Sequence, residues 1–315
     1  MNNINTPYDD VFRTMLNDCP ELIIPVVNDV FHEEYMGKER VELSQNELFF
    51  QQPDGTAEER ITDSSFVIIS AGERRKRYHI ECQSTPDGSM IIRMFEYDTL
   101  IAIKGSEKTK EGLVVRFPES AVLYLRYTKH TPDKLTIRME TPGGNLSYTV
   151  PILKVKQYDI KEIFEKNLLF LIPFYIFTYE PELRKIAESK EKLVSLKQEY
   201  KSIREKLDFL CEKGTLEEYT KQVIITMTEN VVNSLARKYK VIQEGVIECM
   251  GGKILEYEAK DILKRGRQEG VTTGRMKNIL ESVEQVMKNL SVDLKEACRI
   301  LGITLEEYEK ARMMR

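Results

Sequence analysis

The chain has no excess of basic charge. Its 315 residues sum to −4 at neutral pH, so no molecule-wide field draws it onto nucleic acid, and any such binding has to be local. Cysteine is sparse and scattered: Cys19, Cys82, Cys211, Cys249 and Cys298 are odd in number and never fall in CxxC spacing. That disfavours a zinc site and points to reduced thiols in a cytoplasmic protein. The first residues, Met1-Asn2-Asn3-Ile4-Asn5, have neither the charge nor the apolar run of a signal peptide. Long apolar runs are missing as well. The best, Leu168 to Phe177, is about half of the ~20 residues a spanning helix needs, and Pro173 interrupts it. The expectation is a soluble cytoplasmic protein with no membrane partner. The chain is long enough for more than one domain, and its apolar fraction is ordinary for a globular protein.

The most informative stretch is Tyr78-His79-Ile80-Glu81-Cys82-Gln83-Ser84-Thr85-Pro86-Asp87. Read as a strand, it turns Ile80 and Cys82 to one face and Arg77, His79, Glu81 and Gln83 to the other, a face polar enough to line a wet cleft. Asp63 opens a second strand-like run, Ser64 to Ile69, and Ala71-Gly72-Glu73 supplies the turn between the two. A hairpin of this kind would set Asp63 beside Glu81. Two adjacent carboxylates repel unless a cation lies between them, and hard oxygen ligands suit Mg²⁺ or Mn²⁺.

The rest of the chain frames this hairpin. Pro7-Tyr8-Asp9-Asp10 opens a helix with the stripe Phe12, Met15, Leu16 and Cys19; spacing alone makes Asp9 and Asp10 helix-start carboxylates favoured by the dipole. A second helix is expected from Glu21 to Phe31, bent or interrupted at Pro25, then a strand from Val41 to Phe50 and a turn at Pro53-Asp54-Gly55. Beyond the hairpin come a helix from Met90 to Ile101 with Arg93 and Tyr97 on one face, a strand from Ala121 to Tyr127, a hairpin around Pro142-Gly143-Gly144, and a helix from Ile160 to Phe177. Helix, three strands, helix, strands is the order of a mixed α/β domain closing near Tyr179. Heptad spacing from Ile186 to Leu210 then predicts a long helix ended by Lys213-Gly214. A capping box at Thr215 and Glu218 would start its antiparallel partner. The divisions are 1–179 for the α/β domain, 180–263 for a helical region, 264–275 for a basic glycine-spaced linker, and 276–315 for a small helical unit hinged at Gly302.

Glu81-Cys82-Gln83-Ser84-Thr85-Pro86-Asp87, followed by Met90, Arg93 and Tyr97 and preceded by Asp9-Asp10-Val11-Phe12 and Asp63, resembles the recombination-promoting nuclease / putative transposase family of the PD-(D/E)xK nuclease superfamily. The likeness covers roughly the first 180 residues. It implies an α/β, restriction-endonuclease-like core with a mixed central sheet flanked by helices, followed by a helical C-terminal region. It further implies an endonuclease that hydrolyses DNA phosphodiesters with Mg²⁺ or Mn²⁺. Asp63, Glu81 and the Cys82 carbonyl would hold the metal. Gln83 would orient the attacking water, and Asp9 would complete the site from the first helix. A neutral amide at position 83 can orient water but cannot stabilise developing negative charge as an ammonium would.

Other features carry two readings each. Arg74-Arg75-Lys76-Arg77 is either a solvated turn or a grip on DNA phosphates, and Arg93 either meets phosphate or pairs across its helix. His79 reads as a hydrogen-bonded structural residue. The heptad stripe is the seam of an intramolecular pair or of a homodimer. The basic residues between Lys264 and Lys277 form a tether or a nonspecific DNA grip. Ala297 to Thr304 has the cadence of a helix-turn-helix, but Glu306, Glu307 and Glu309 would face phosphates, which favours an oligomerisation or docking unit. The rival to the enzyme is a catalytically degenerate nuclease fold acting as a DNA-binding or protein-interaction module; RNA cleavage is a third reading.

Overall fold

Thr6 starts the first helix by a reciprocal capping box: its hydroxyl accepts from the Asp9 amide, and the Asp9 carboxylate accepts from the Thr6 amide at 2.8 Å. Pro7 occupies the first helical position, where its missing N–H costs nothing. The structure, a computed structural model, describes residues 6–43, 47–51, 57–61, 65–85, 88–251, 280, 283, 286, 287, 293–301 and 303–313, with backbone alone at 47–51, 57–61, 300, 306, 307, 311 and 313. Helix α1 (Pro7–Asp18) buries Val11, Phe12, Met15 and Leu16, and α2 (Ile23–Phe31) follows a short 3-10 turn. Pro25 falls in the first turn of α2, where amides have no intrahelical acceptor, and the helix runs through it without interruption.

The strands are β1 (Arg40–Leu43), β2 (Glu47–Gln51), β3 (Ala57–Ile61), β4 (Ser65–Ser70) and β5 (Arg74–Gln83). The run from Val41, expected as one strand, is therefore two: β1 joins the main sheet, whereas β2 pairs with β3 in a separate two-stranded hairpin. Helix α3 (Met90–Lys104) and a small hairpin, β6 (Glu107–Lys108) with β7 (Leu113–Val114), lead to β8 (Glu119–Tyr124), β9 (Lys134–Thr141) and β10 (Gly144–Lys154). The central sheet is six-stranded and mixed, ordered β1-β4-β5-β8-β10-β9. β1, β4 and β5 form an antiparallel meander, and β8 lies parallel to β5 after the α3 crossover that parallel pairing requires. The β9–β10 hairpin turns at Pro142-Gly143 as expected, and Gly144 takes φ 134°, open to glycine alone without strain.

The apolar segment after the sheet departs from expectation. Instead of one helix from Ile160 to Phe177, α4 (Ile160–Glu165) stops and Asn167 turns into the left-handed region at φ 56°. A 3-10 stretch (Leu169–Glu182) containing Pro173 and Pro181 follows, with Leu169 to Phe177 buried throughout. A segment apolar on every side has no amphipathic period to hold it as one surface helix. The short α5 (Leu183–Glu188) separates Ile186 from α6 (Lys190–Glu212), which buries Leu196, Tyr200, Ile203 and Leu207 and packs chiefly on α8 (Lys240–Met250). Between them α7 (Glu218–Leu235) packs on α1 and the 3-10 stretch. The expected capping box is absent. Glu217 is the N-cap of α7, and Thr215 instead donates its hydroxyl to the Leu210 carbonyl, closing the end of α6.

The chain divides into two compact units, Met1–Lys253 and Ile254–Arg315, so the helices of residues 180–253 belong with the sheet rather than forming a unit of their own. In the second unit, the helices Leu294–Leu301 and Leu305–Met313 enclose a small cluster of Val283, Ala297 and Cys298, flanked by Val286, Met287, Ile303 and Tyr308. The basic linker 264–275 and Gly302 lie outside the described residues. The architecture is α/β with a mixed six-stranded central sheet and a helical C-terminal region. No helix among the described residues is long and apolar enough to cross a membrane.

Candidate functional site

Strand β5 alternates as its sequence requires. Tyr78, Ile80 and Cys82 are buried on one face, where Tyr78 stacks on Phe66 and hydrogen-bonds the Tyr35 hydroxyl. The other face meets α3, so the expected wet cleft is in large part a dry seam. Arg77 donates to the Ile101 carbonyl at 3.3 Å, near the negative end of the α3 dipole. Its guanidinium lies so close to Gly105 that a Cβ there would sit 2.0 Å from Nη1. Two residues along, His79 is fully buried.

His79 links two carboxylates. Nε2 donates to Glu81 Oε1 at 2.9 Å and Nδ1 donates to Asp98 Oδ1 at 2.8 Å. Ionised carboxylates only accept, so two such bonds from one ring describe an imidazolium. Asp98, from α3, also accepts from Ser120 Oγ at 2.6 Å and Tyr148 Oη at 2.9 Å. Burial alone would push the imidazole down; its bonds to Asp98 and Glu81, with their charges, outweigh burial and raise it to about 9. Glu81 itself is 4 % exposed.

Gln83, half-buried, accepts from Arg93 Nη2 at 3.1 Å, which fixes the amide two residues beyond Glu81. Beyond the motif, Arg126 donates to the Ser84 carbonyl, grips Glu180 through Nε and Nη2, and lies over the rings of Tyr8 and Phe177. The chain leaving Gln83 is thereby tied to the 3-10 stretch. Asp9 keeps the capping role that its helix position predicts. Burial raises its carboxyl above the usual range, Thr6 and Arg13 oppose that rise, and the charge of Glu81 adds to it. Asp9 and Glu81 therefore lie within electrostatic reach of each other.

A hard divalent cation suits this donor chemistry, because two half-buried or buried carboxylates that repel each other are relieved by positive charge. Cys82 turns its thiol into the apolar face, so its carbonyl is the group that could serve. Asp63 lies outside the described residues, and among the described residues no group of three or more His, Cys, Asp or Glu is arranged to hold a metal.

The basic run at the turn is mostly committed elsewhere. Arg75 pairs with Glu42, Lys76 with Glu33 and Glu119, and Arg77 with the end of α3. Arg74 is exposed and makes no ion pair with another described residue. Arg93 donates to Gln83 across the seam between α3 and β5. Sequence reasoning missed Asp98, Ser120 and Tyr148. A signal for Asp98 was present: it falls on the same stripe of α3 as Met90, Met94, Tyr97 and Ile101, where a carboxylate needs a buried partner. No family model, curated protein or solved structure matches the chain.

Proposed function

We propose that the chain is a metal-dependent endonuclease that hydrolyses DNA phosphodiesters on a core of the PD-(D/E)xK type. The observation that carries this reading is the placement of Glu81 and Gln83 on one face of β5, each held by a side chain, with α1, which bears Asp9, in contact with β5. The described hairpin supports it: β4 and β5 pair antiparallel from Ser70 opposite Arg74 to Ser65 opposite His79. Helix, antiparallel meander, crossover helix and parallel strand follow in the order expected of such a core.

In this reading Asp63, Glu81 and the Cys82 carbonyl hold Mg²⁺ or Mn²⁺, which when bound lowers the pKa of a water and polarises a phosphoryl oxygen. Gln83, immobilised by Arg93, orients that water by accepting or donating a hydrogen bond through its amide. Asp9 adds negative charge from the start of α1. Arg74 is the member of the basic run left to meet a phosphate. The association with recombination or mobile elements rests on the motif resemblance.

The second reading, a degenerate nuclease fold working as a DNA-binding or protein-interaction module, is favoured by the internal commitment of Arg75, Lys76 and Arg77. Metal titration separates the two. The enzyme gains thermal stability from Mn²⁺, and Asp63→Ala removes the gain; a module shows no gain in either protein. Matched DNA and RNA substrates then decide the polymer.

A further inference from the structure

We infer that His79 and Asp98 are positioning residues that hold the Glu81 carboxylate in place for a divalent cation, with Ser120 and Tyr148 fixing Asp98 in turn. This rests on the nuclease reading of Glu81 and deepens it. The chain of contacts is continuous: Ser120 Oγ and Tyr148 Oη donate to Asp98, Asp98 accepts from His79 Nδ1, and His79 Nε2 donates to Glu81 Oε1. It joins four elements, β5, α3, β8 and β10, so the Glu81 rotamer is set by the body of the sheet rather than by the loop that follows. The Tyr97 ring meets the imidazole edge-on at 6.0 Å between centroids, which closes the remaining freedom of the ring.

The chemistry favours a role toward a cation over one in packing alone. An apolar pair would fill the same space between β5 and α3 without the desolvation that three buried polar side chains incur, and such replacements are often neutral or stabilising. What the hydrogen-bonded version provides is a carboxylate aimed before any ligand arrives. Held at Oε1 by His79, Glu81 keeps one orientation from which to meet a cation. Hydrogen-bond partners of metal-ligating carboxylates tune affinity in this way.

The test measures Mn²⁺ binding by calorimetry and by the loss of the free-ion paramagnetic resonance signal, on full-length wild type, Asp98→Asn, His79→Gln, Ser120→Ala and Tyr148→Phe. Circular dichroism checks that each is folded, and plasmid cleavage is followed in parallel. The expected result is an affinity loss of about tenfold or more in Asp98→Asn and His79→Gln, and a smaller loss in the other two. The metal concentration for half-maximal cleavage rises in step, while KM for plasmid stays near that of wild type. If the first two variants do not fold, Ser120→Ala and Tyr148→Phe decide, since neither touches the His79–Glu81 bond. Unchanged Mn²⁺ affinity in folded variants overturns the inference and leaves the nuclease reading standing. A wild type that takes up no Mn²⁺ removes both.

Discussion

Two charge clusters among the described residues are built differently. In the helical region Lys221, 7 % exposed at its side chain, pairs with Asp208 and Glu218, and Arg204 joins through Asp208. The carboxylates there are 40 % and 56 % exposed, so water shares their charge. In the sheet, Glu81, His79 and Asp98 are all buried, with side-chain exposures of 5 %, 0 % and 0 %. The first arrangement costs little, because only one group is desolvated and its partners remain hydrated. The second desolvates three, and needs five well-placed hydrogen-bonding groups from four elements to do so. A fold under pressure for stability alone has cheaper ways to fill that space, and the role proposed for the sheet cluster rests on that difference.

The largest expected effect comes from breaking each cluster at its cation. Removing the imidazole in His79→Leu leaves two facing carboxylates buried and should cost about 3–5 kcal/mol of unfolding free energy. Lys221→Met should cost about 1 kcal/mol or less, because Asp208 and Glu218 can turn to water. Urea denaturation of the two variants gives both values. Equal losses would erase the distinction between the clusters.

A smaller effect sharpens the same contrast through pH. His79 is raised in the folded state, so its stabilisation is complete below its unfolded value near 6.5 and is lost as pH climbs through about 9. The wild type should lose on the order of 2–3 kcal/mol across that window. His79→Gln should be flat there. Asp208 and Glu218 go the other way. Burial raises both, but Lys221 outweighs it, with Arg204 acting on Asp208 and Gln222 on Glu218, and their carboxyls are lowered. Their stabilisation is present above the ordinary carboxylate range and fades as pH falls through the lower folded values. Thermal melts from pH 3 to pH 10 should therefore show the helical cluster failing at the acid end and the sheet cluster at the alkaline end.

The smallest effect concerns the third contact on the same face of β5. Gly105→Ala drives Arg77 from the Ile101 carbonyl and should cost about 1 kcal/mol, because the displaced guanidinium can reach solvent. Adding Arg77→Met to Gly105→Ala should cost little more, and a double-mutant cycle measures the coupling.

Much of this was legible in the chain itself. The period of two in residues 77–83 sets the faces of β5, the hairpin turn at Gly72 places β4 beside it, and Met90 with Met94 marks α3 as an amphipathic crossover. Two kinds of information were not. Partners joined only by the tertiary fold, such as Asp98 with His79 or Lys76 with Glu33, depend on how α3 and α2 dock, which no local pattern encodes. Hence a polar strand face read as a wet cleft is largely sealed by a helix, and a basic run read as a phosphate grip is mostly neutralised by carboxylates from afar. The backbone choices around Asn167 escaped for another reason: where every residue of Leu169–Phe177 is buried, hydrophobic period carries no signal to distinguish one long helix from a broken one.

The most direct test of the central claim is cleavage of supercoiled plasmid in Mg²⁺ or Mn²⁺ by wild type, Asp63→Ala and Glu81→Gln purified in parallel. Nicked or linear product from the wild type alone, abolished by chelation, is the predicted result. Product of equal yield from all three proteins, or none from any of them in either metal, would contradict it.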